Sequence, residues 1–151
     1  MEDKLAKALV DFENYYNCSQ TVTRQFAEEY GLSKELISKL NAGYGGGLCT
    51  GYTCGAIVGA IMILGLKYAK TNPNADDKKD FQQRTLKLIN DFAELHGAFN
   101  CHELIGFEAG NDRQKEEARE KGVFKESCPA YIKTAIELVM AFDWLLIVLL
   151  F

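Results

Sequence analysis

Proline is scarce in this chain, with only two residues in 151, Pro73 and Pro129. Runs of β-branched residues are equally rare, so helix is the default expectation. A basic surplus is missing too. Lys and Arg total 17 against 21 Asp and Glu, for a net charge of −4, and a nucleic-acid role with its basic patch is excluded. The opening Met1-Glu2-Asp3-Lys4 lacks the basic and apolar regions of a secretory signal, so a cytoplasmic location is expected. Structural disulfides are rare in that reducing compartment. No apolar run reaches the ~20 residues that span a bilayer. Several motifs are absent as well. There is no C-x-x-C and no C-x-x-C-H, since position 98 is Ala98, so covalent haem is not expected. Gly45-Gly46-Gly47 is not followed by Lys-Ser or Lys-Thr and follows no strand, which excludes a P-loop and a Rossmann turn. No Ser/His/Asp set or carboxylate pair stands out.

The cysteines are what remains. There are five, an odd number that suits a disulfide framework poorly. Four of them directly follow a residue that favours the N-cap of a helix: Asn17-Cys18, Thr53-Cys54, Asn100-Cys101 and Ser127-Cys128. Each of these thiols is expected at a first helical position, where free N–H groups and the helix dipole favour the thiolate, the nucleophilic and metal-binding form. The blander reading is that buried free cysteines are ordinary small hydrophobes. The four are far apart in sequence and share no zinc-finger spacing, so a common site requires tertiary folding to bring one sulfur from each helix. Cys49 follows a glycine loop, lacks a cap and reads as a bystander or an accessory thiol. Of the histidines, His102 reads as an exposed first-turn residue or a donor to a thiolate. His96 reads as a favourable residue at a helix C-terminus.

The rest of the chain supports an all-α, single-domain bundle over 1–151, with about five to six helices around a central apolar helix at about 54–68. Leu5, Leu9, Phe12 and Tyr16 trace a first helix. Cys18, Val22, Phe26 and Tyr30 trace a second that ends at Gly31, and Ser33 caps a short third. Glycines from Gly43 to Gly51 form a loop, whose free N–H groups suit hydrogen bonding to sulfur or another anion. Cys54 to Tyr68 is apolar on almost all sides, and Gly55, Gly59 and Ala60 permit close backbone approach. Phe81, Thr85, Leu88, Phe92 and Leu95 form the seam of a helix that starts near Asp76 or Asp77 and closes at Gly97. A short helix runs from Cys101 to Gly106, 112–121 is a charged exposed stretch, and Ser127-Cys128-Pro129 opens the last helix.

Thr53-Cys54-Gly55-Ala56-Ile57-Val58-Gly59-Ala60 resembles the CGAxxG core of the C_GCAxxG_C_C family. Asn17-Cys18-Ser19-Gln20, the Gly45-Gly46-Gly47 loop, Cys101-His102-Glu103-Leu104-Ile105-Gly106 and Cys128 extend the resemblance over roughly residues 5–140. It implies a small helical redox-active protein whose characteristic cysteines are Cys18, Cys54, Cys101 and Cys128, with Cys49 outside the set. It also implies an association with transport systems. A similar domain occurs in split-Soret cytochromes c, where an iron–sulfur centre is associated with it.

The leading expectation is a four-cysteine thiolate site at Cys18, Cys54, Cys101 and Cys128. It would bind an iron–sulfur cluster, or zinc as the alternative metal, for electron transfer or redox sensing with an unknown redox partner. A metal-free thiol/disulfide oxidoreductase is the second reading, and a non-redox protein-interaction module the third. The stretch 141–151, with Trp144 to Phe151 almost wholly apolar, departs from the family's polar ending. It suits a homodimer contact or a membrane surface, and it is too short to span a bilayer alone.

Overall fold

Leu5, Ala8 and Phe12 lie on one face of helix α1 (Glu2–Glu13) and pack toward the core, with Ala8 fully buried. The computed structural model describes the backbone of residues 2–148 and the side chains of residues 2–142. Helix α2 (Cys18–Arg24) starts where expected. The Asn17 side chain accepts from the Gln20 N–H, and the Gln20 side chain accepts from the Asn17 N–H, both at 2.9 Å. This helix ends at Arg24 and does not continue to Tyr30. The Thr23 hydroxyl bonds back to the carbonyls of Ser19 and Gln20, a local competition that bends helices. A separate 3₁₀ turn, Ala27–Tyr30, follows and is closed by Gly31 at φ +67°. Helix α3 (Lys34–Leu40) is capped by Ser33.

Helix α4 (Gly55–Tyr68) packs against α2, the long helix α5 (Ala75–His96) and the last helix, α8 (Val123–Val148). Its Ala56, Ile57, Ala60, Ile63 and Leu64 have no exposure, while Leu66 and Lys67 emerge into solvent at the C-terminal end. Val22 and Phe26 beside α4, Leu88 and Phe92 from α5, and Ile132, Ile136, Val139 and Phe142 from α8 complete the core. The glycines of the Cys54–Gly59 stretch serve the close approach read from sequence. A Cβ on Gly59 would lie 2.9 Å from the Ser19 carbonyl oxygen of α2, and one on Gly55 would lie 2.6 Å from the Tyr44 carbonyl oxygen.

Between these elements lie two short helices, α6 (Cys101–Ile105) and α7 (Asp112–Glu120). The charged stretch at 112–121 is therefore helical. Asn111 caps it, Glu116–Arg119 and Glu117–Lys121 pairs lace its surface, and only Ala118 is buried. Helix α8 begins at Val123 after Gly122 turns at φ +71°, so Cys128 and Pro129 lie inside it and do not open it. Eight α-helices among the described residues exceed the five or six expected; α3 and α7 are short with Ser33 and Asn111 side-chain caps, and α6 is short without one. The architecture is all-α. The one β-type pairing among the described residues is an isolated antiparallel bridge between Thr53 and Asn100. No helix of the described residues is long and apolar enough to cross a membrane. The side chains of the apolar tail from Asp143 onward lie outside the described residues.

Candidate functional site

The Thr53–Asn100 bridge sets the geometry of the site. The Cys54 N–H donates to the Phe99 carbonyl at 2.9 Å and the Cys101 N–H donates to the Tyr52 carbonyl at 2.7 Å. The start of α4 is thereby tied to the start of α6, each one residue from a cysteine. On the other side Asn17 anchors α2. Its amide donates to the carbonyls of Asn41 and Ala42, both at 3.1 Å, while Ser19 donates to the buried Asn41 side chain at 2.6 Å. This network holds the beginning of α2 against the chain that leads into the glycine loop.

The four cysteines lie in two adjoining packed clusters. Cys101 and Cys128 belong to one with Ile105 and Ala109, and Cys54 belongs to the main core. Cys18 packs against both clusters and so links them. All are free thiols. Cys54, Cys101 and Cys128 are buried and Cys18 keeps some exposure. Cys18 packs against the cluster that holds Cys128, and the Cys128 thiol is the largest influence on the Cys18 proton.

Their placement departs from the capping expectation. Cys18 and Cys101 occupy first helical positions. Cys54 is itself the N-cap of α4, because Thr53 is drawn into the bridge, and Cys128 sits inside α8. Asn100 precedes α6 without a side-chain cap bond, its amide donating to Glu103 instead. The expected easier ionisation is reversed at Cys18, Cys54 and Cys101. Burial pushes the Cys54 and Cys101 thiols up to about 12, with neighbouring cysteines adding to the rise. Interaction with Cys128, then burial, holds Cys18 well above the ordinary thiol range. The N–H groups of Gly46 and Cys18 near that sulfur, and those of Ala56 and Ile57 near Cys54, oppose the rise without overcoming it. Desolvation outweighs the helix ends.

The glycine loop does reach the sulfurs. Gly46, Gly47, Leu48 and Cys49 all have φ between +58° and +61°, a left-handed turn that glycine enters freely. For Leu48 and Cys49 that conformation costs roughly 1–2 kcal/mol each. A Cβ on Gly47 would lie 2.9 Å from the Cys101 Cβ, so only glycine lets the turn close over that cysteine. Cys49 points away from the cluster in chemistry as well as position: it is exposed, and its sulfur lies 3.9 Å from the Gly43 carbonyl.

Neither histidine is spent on a thiolate. His102 Nδ1 lies 2.7 Å from the Gly51 carbonyl, which only accepts, so that nitrogen carries the proton. His96 Nε2 pairs with the Thr134 hydroxyl at 2.8 Å, and burial lowers its pKa. One residue that the sequence reading passed over belongs here. Tyr131 follows Cys128 by three residues on α8, packs against both clusters, and donates to the Leu104 carbonyl of α6 at 2.8 Å. The i, i+3 spacing from Cys128 was the available signal. Among the described residues, no group of three or more His, Cys, Asp or Glu side chains is arranged to hold a metal ion.

An all-α chain whose four buried or half-buried cysteines arrive from α2, α4, α6 and α8 defines a class of small helical cysteine-site proteins. The chain belongs to the C_GCAxxG_C_C family: that family's model, described as "Putative redox-active protein (C_GCAxxG_C_C)", matches residues 16–142. Comparison with curated proteins and with solved structures gave no match.

Proposed function

We propose that this protein is redox-active through its converged cysteines, with Cys18 and Cys128 as the reacting pair. The observation that carries the reading is the packing of Cys18 against the cluster that holds Cys128, whose thiol is the largest influence on the Cys18 proton; no C-x-x-C is required because the fold supplies the proximity. In the proposed step both thiols lose their protons and two electrons and form one S–S bond. A disulfide-bearing partner takes the electrons and protons and is reduced to two thiols. Cys18 keeps some exposure and so forms the mixed disulfide first, and Cys128 resolves it. The test is oxidation of the anaerobically reduced protein with glutathione disulfide, followed by peptide mass spectrometry. The expected product is a single Cys18–Cys128 disulfide that dithiothreitol reverses and Cys18→Ser abolishes. A different pairing, or mixed disulfides alone, overturns the reading.

A second reading is favoured by the convergence of all four cysteines. Cys18, Cys54, Cys101 and Cys128 form an all-sulfur donor set of the kind that suits an iron–sulfur cluster, which would supply one-electron transfer when bound. The apolar surroundings and the nearby N–H groups of Gly46, Ala56 and Ile57 are the features that tune such centres. The same sulfurs could take tetrahedral zinc, which would need them about 3.8 Å apart. Either metal requires the side chains to draw together from their present arrangement and to give up their protons. Iron, sulfide and zinc analysis of anaerobically purified protein, with visible spectra before and after reconstitution, decides this reading. Metal-free, colourless protein after reconstitution rejects it.

A further inference from the structure

We infer that Tyr131 is a positioning residue of the cysteine site, fixing Cys101 of α6 beside Cys128 of α8. The inference takes the cysteines as the working site, as proposed above. Helix α6 spans only Cys101–Ile105, too short to hold itself in water. Its N-terminal end is pinned by the Cys101 N–H donating to the Tyr52 carbonyl at 2.7 Å. Its other end is pinned by the Tyr131 hydroxyl donating to the Leu104 carbonyl at 2.8 Å. Tyr131 lies one turn beyond Cys128, so this bond ties the helix that carries Cys101 to the helix that carries Cys128.

The ring of Tyr131 is itself held. It meets His96 edge-on at 4.9 Å and 87°, and it lies 6.1 Å from the Phe92 ring, both residues of α5. The tyrosine therefore works as a brace with its ring set in the main core and its hydroxyl on α6. It also packs against the cluster formed by Cys101, Ile105, Ala109 and Cys128. A phenylalanine at this position keeps the ring and loses only the brace.

The experiment measures alkylation rates at each cysteine of the reduced full chain, with iodoacetamide as the probe and mass spectrometry as the readout. Tyr131→Phe is expected to raise the rate at Cys101 about fivefold, the worth of one neutral hydrogen bond in a local opening equilibrium, and to leave Cys54 unchanged. Thr85→Val is the control. It removes a 3.0 Å hydroxyl bond to the Phe81 carbonyl within α5, eleven residues before His96, and should leave Cys101 at its original rate. Circular dichroism and urea midpoints establish that both variants are folded. An unchanged Cys101 rate in Tyr131→Phe overturns the inference, as does equal acceleration at all the cysteines or an equal effect of Thr85→Val. None of these rates depends on a disulfide forming, so failure of the Cys18–Cys128 reading would be seen separately.

Discussion

A thiol crowded by apolar groups and other sulfurs holds its proton, and this governs the chemistry of Cys18, Cys54 and Cys101. Cys54 and Cys101 have ordinary thiol values of 9.0 in the unfolded chain and about 12 when folded. Folding therefore favours the protonated form. The stability linked to these two protons is fully present below about pH 9 and is lost as pH rises toward about 12. The urea midpoint should fall across that alkaline window, and Cys54→Ala should make the fall shallower. Tyrosine and lysine titration is common to both proteins, so the difference between their slopes isolates the thiol. Parallel slopes would show that the Cys54 proton is not held by folding. Reactivity follows the same logic: near neutral pH Cys18, Cys54 and Cys101 are slow nucleophiles, so exchange should be slow and should enter through Cys18, the most exposed of the four cysteines.

At the scale of elements, two glycines of α4 make opposite predictions. A methyl group at Gly59 would press on the backbone carbonyl of Ser19 at 2.9 Å, and backbone yields poorly. Gly59→Ala should cost about 1–3 kcal/mol, the usual range for overpacking. At Gly65 the nearest atom to an added Cβ is the Phe81 ring at 3.7 Å, an ordinary contact. Gly65→Ala should instead gain up to about 1 kcal/mol from helix propensity. Urea unfolding of the two variants checks both signs, and destabilisation by Gly65→Ala would remove the packing distinction. Most element boundaries were legible in the sequence because they rest on local chemistry. Asn17 and Ser33 cap helices through their side chains, and Gly31, Gly97 and Gly106 end helical turns with positive φ, whereas Asn74 caps α5 ahead of the start read near Asp76 or Asp77. The start of α8 was not legible. Ser127 and Pro129 mimic a helix opening, whereas Gly122 turns the chain five residues before Ser127, and packing against α4, α5 and α7 carries α8 through the proline. The Leu48–Cys49 backbone was hidden for a related reason, since neither residue favours a left-handed conformation.

At the scale of the whole molecule, the caps selected four cysteines for partly mistaken local reasons, and the fold places those four in two adjoining packed clusters. Cys54 and Cys101 meet through a bridge between two loops, and Cys18 and Cys128 meet across helices distant in sequence. No local pattern encodes either juxtaposition. That distance gives the proposed disulfide a thermodynamic signature. Joining residues 18 and 128 closes a loop of roughly 110 residues, and the chain-entropy model gives such a crosslink about 4–5 kcal/mol of stabilisation when native geometry is unstrained. Folding and oxidation form a cycle, so whatever the disulfide adds to folding, folding adds to the disulfide. At about 30 mV per 1.4 kcal/mol, the folded pair would lie roughly 90–110 mV below the same two thiols in the unfolded chain. Urea midpoints of the oxidised and reduced proteins, compared with the Cys18→Ser variant under both conditions, measure one side of the cycle. Titration against glutathione redox buffers, native and in urea, measures the other. The oxidised wild type should unfold at the higher urea concentration, Cys18→Ser should show no such shift, and the two sides should agree. Equal stability of the oxidised and reduced wild type would mean that the fold does not favour closing this pair.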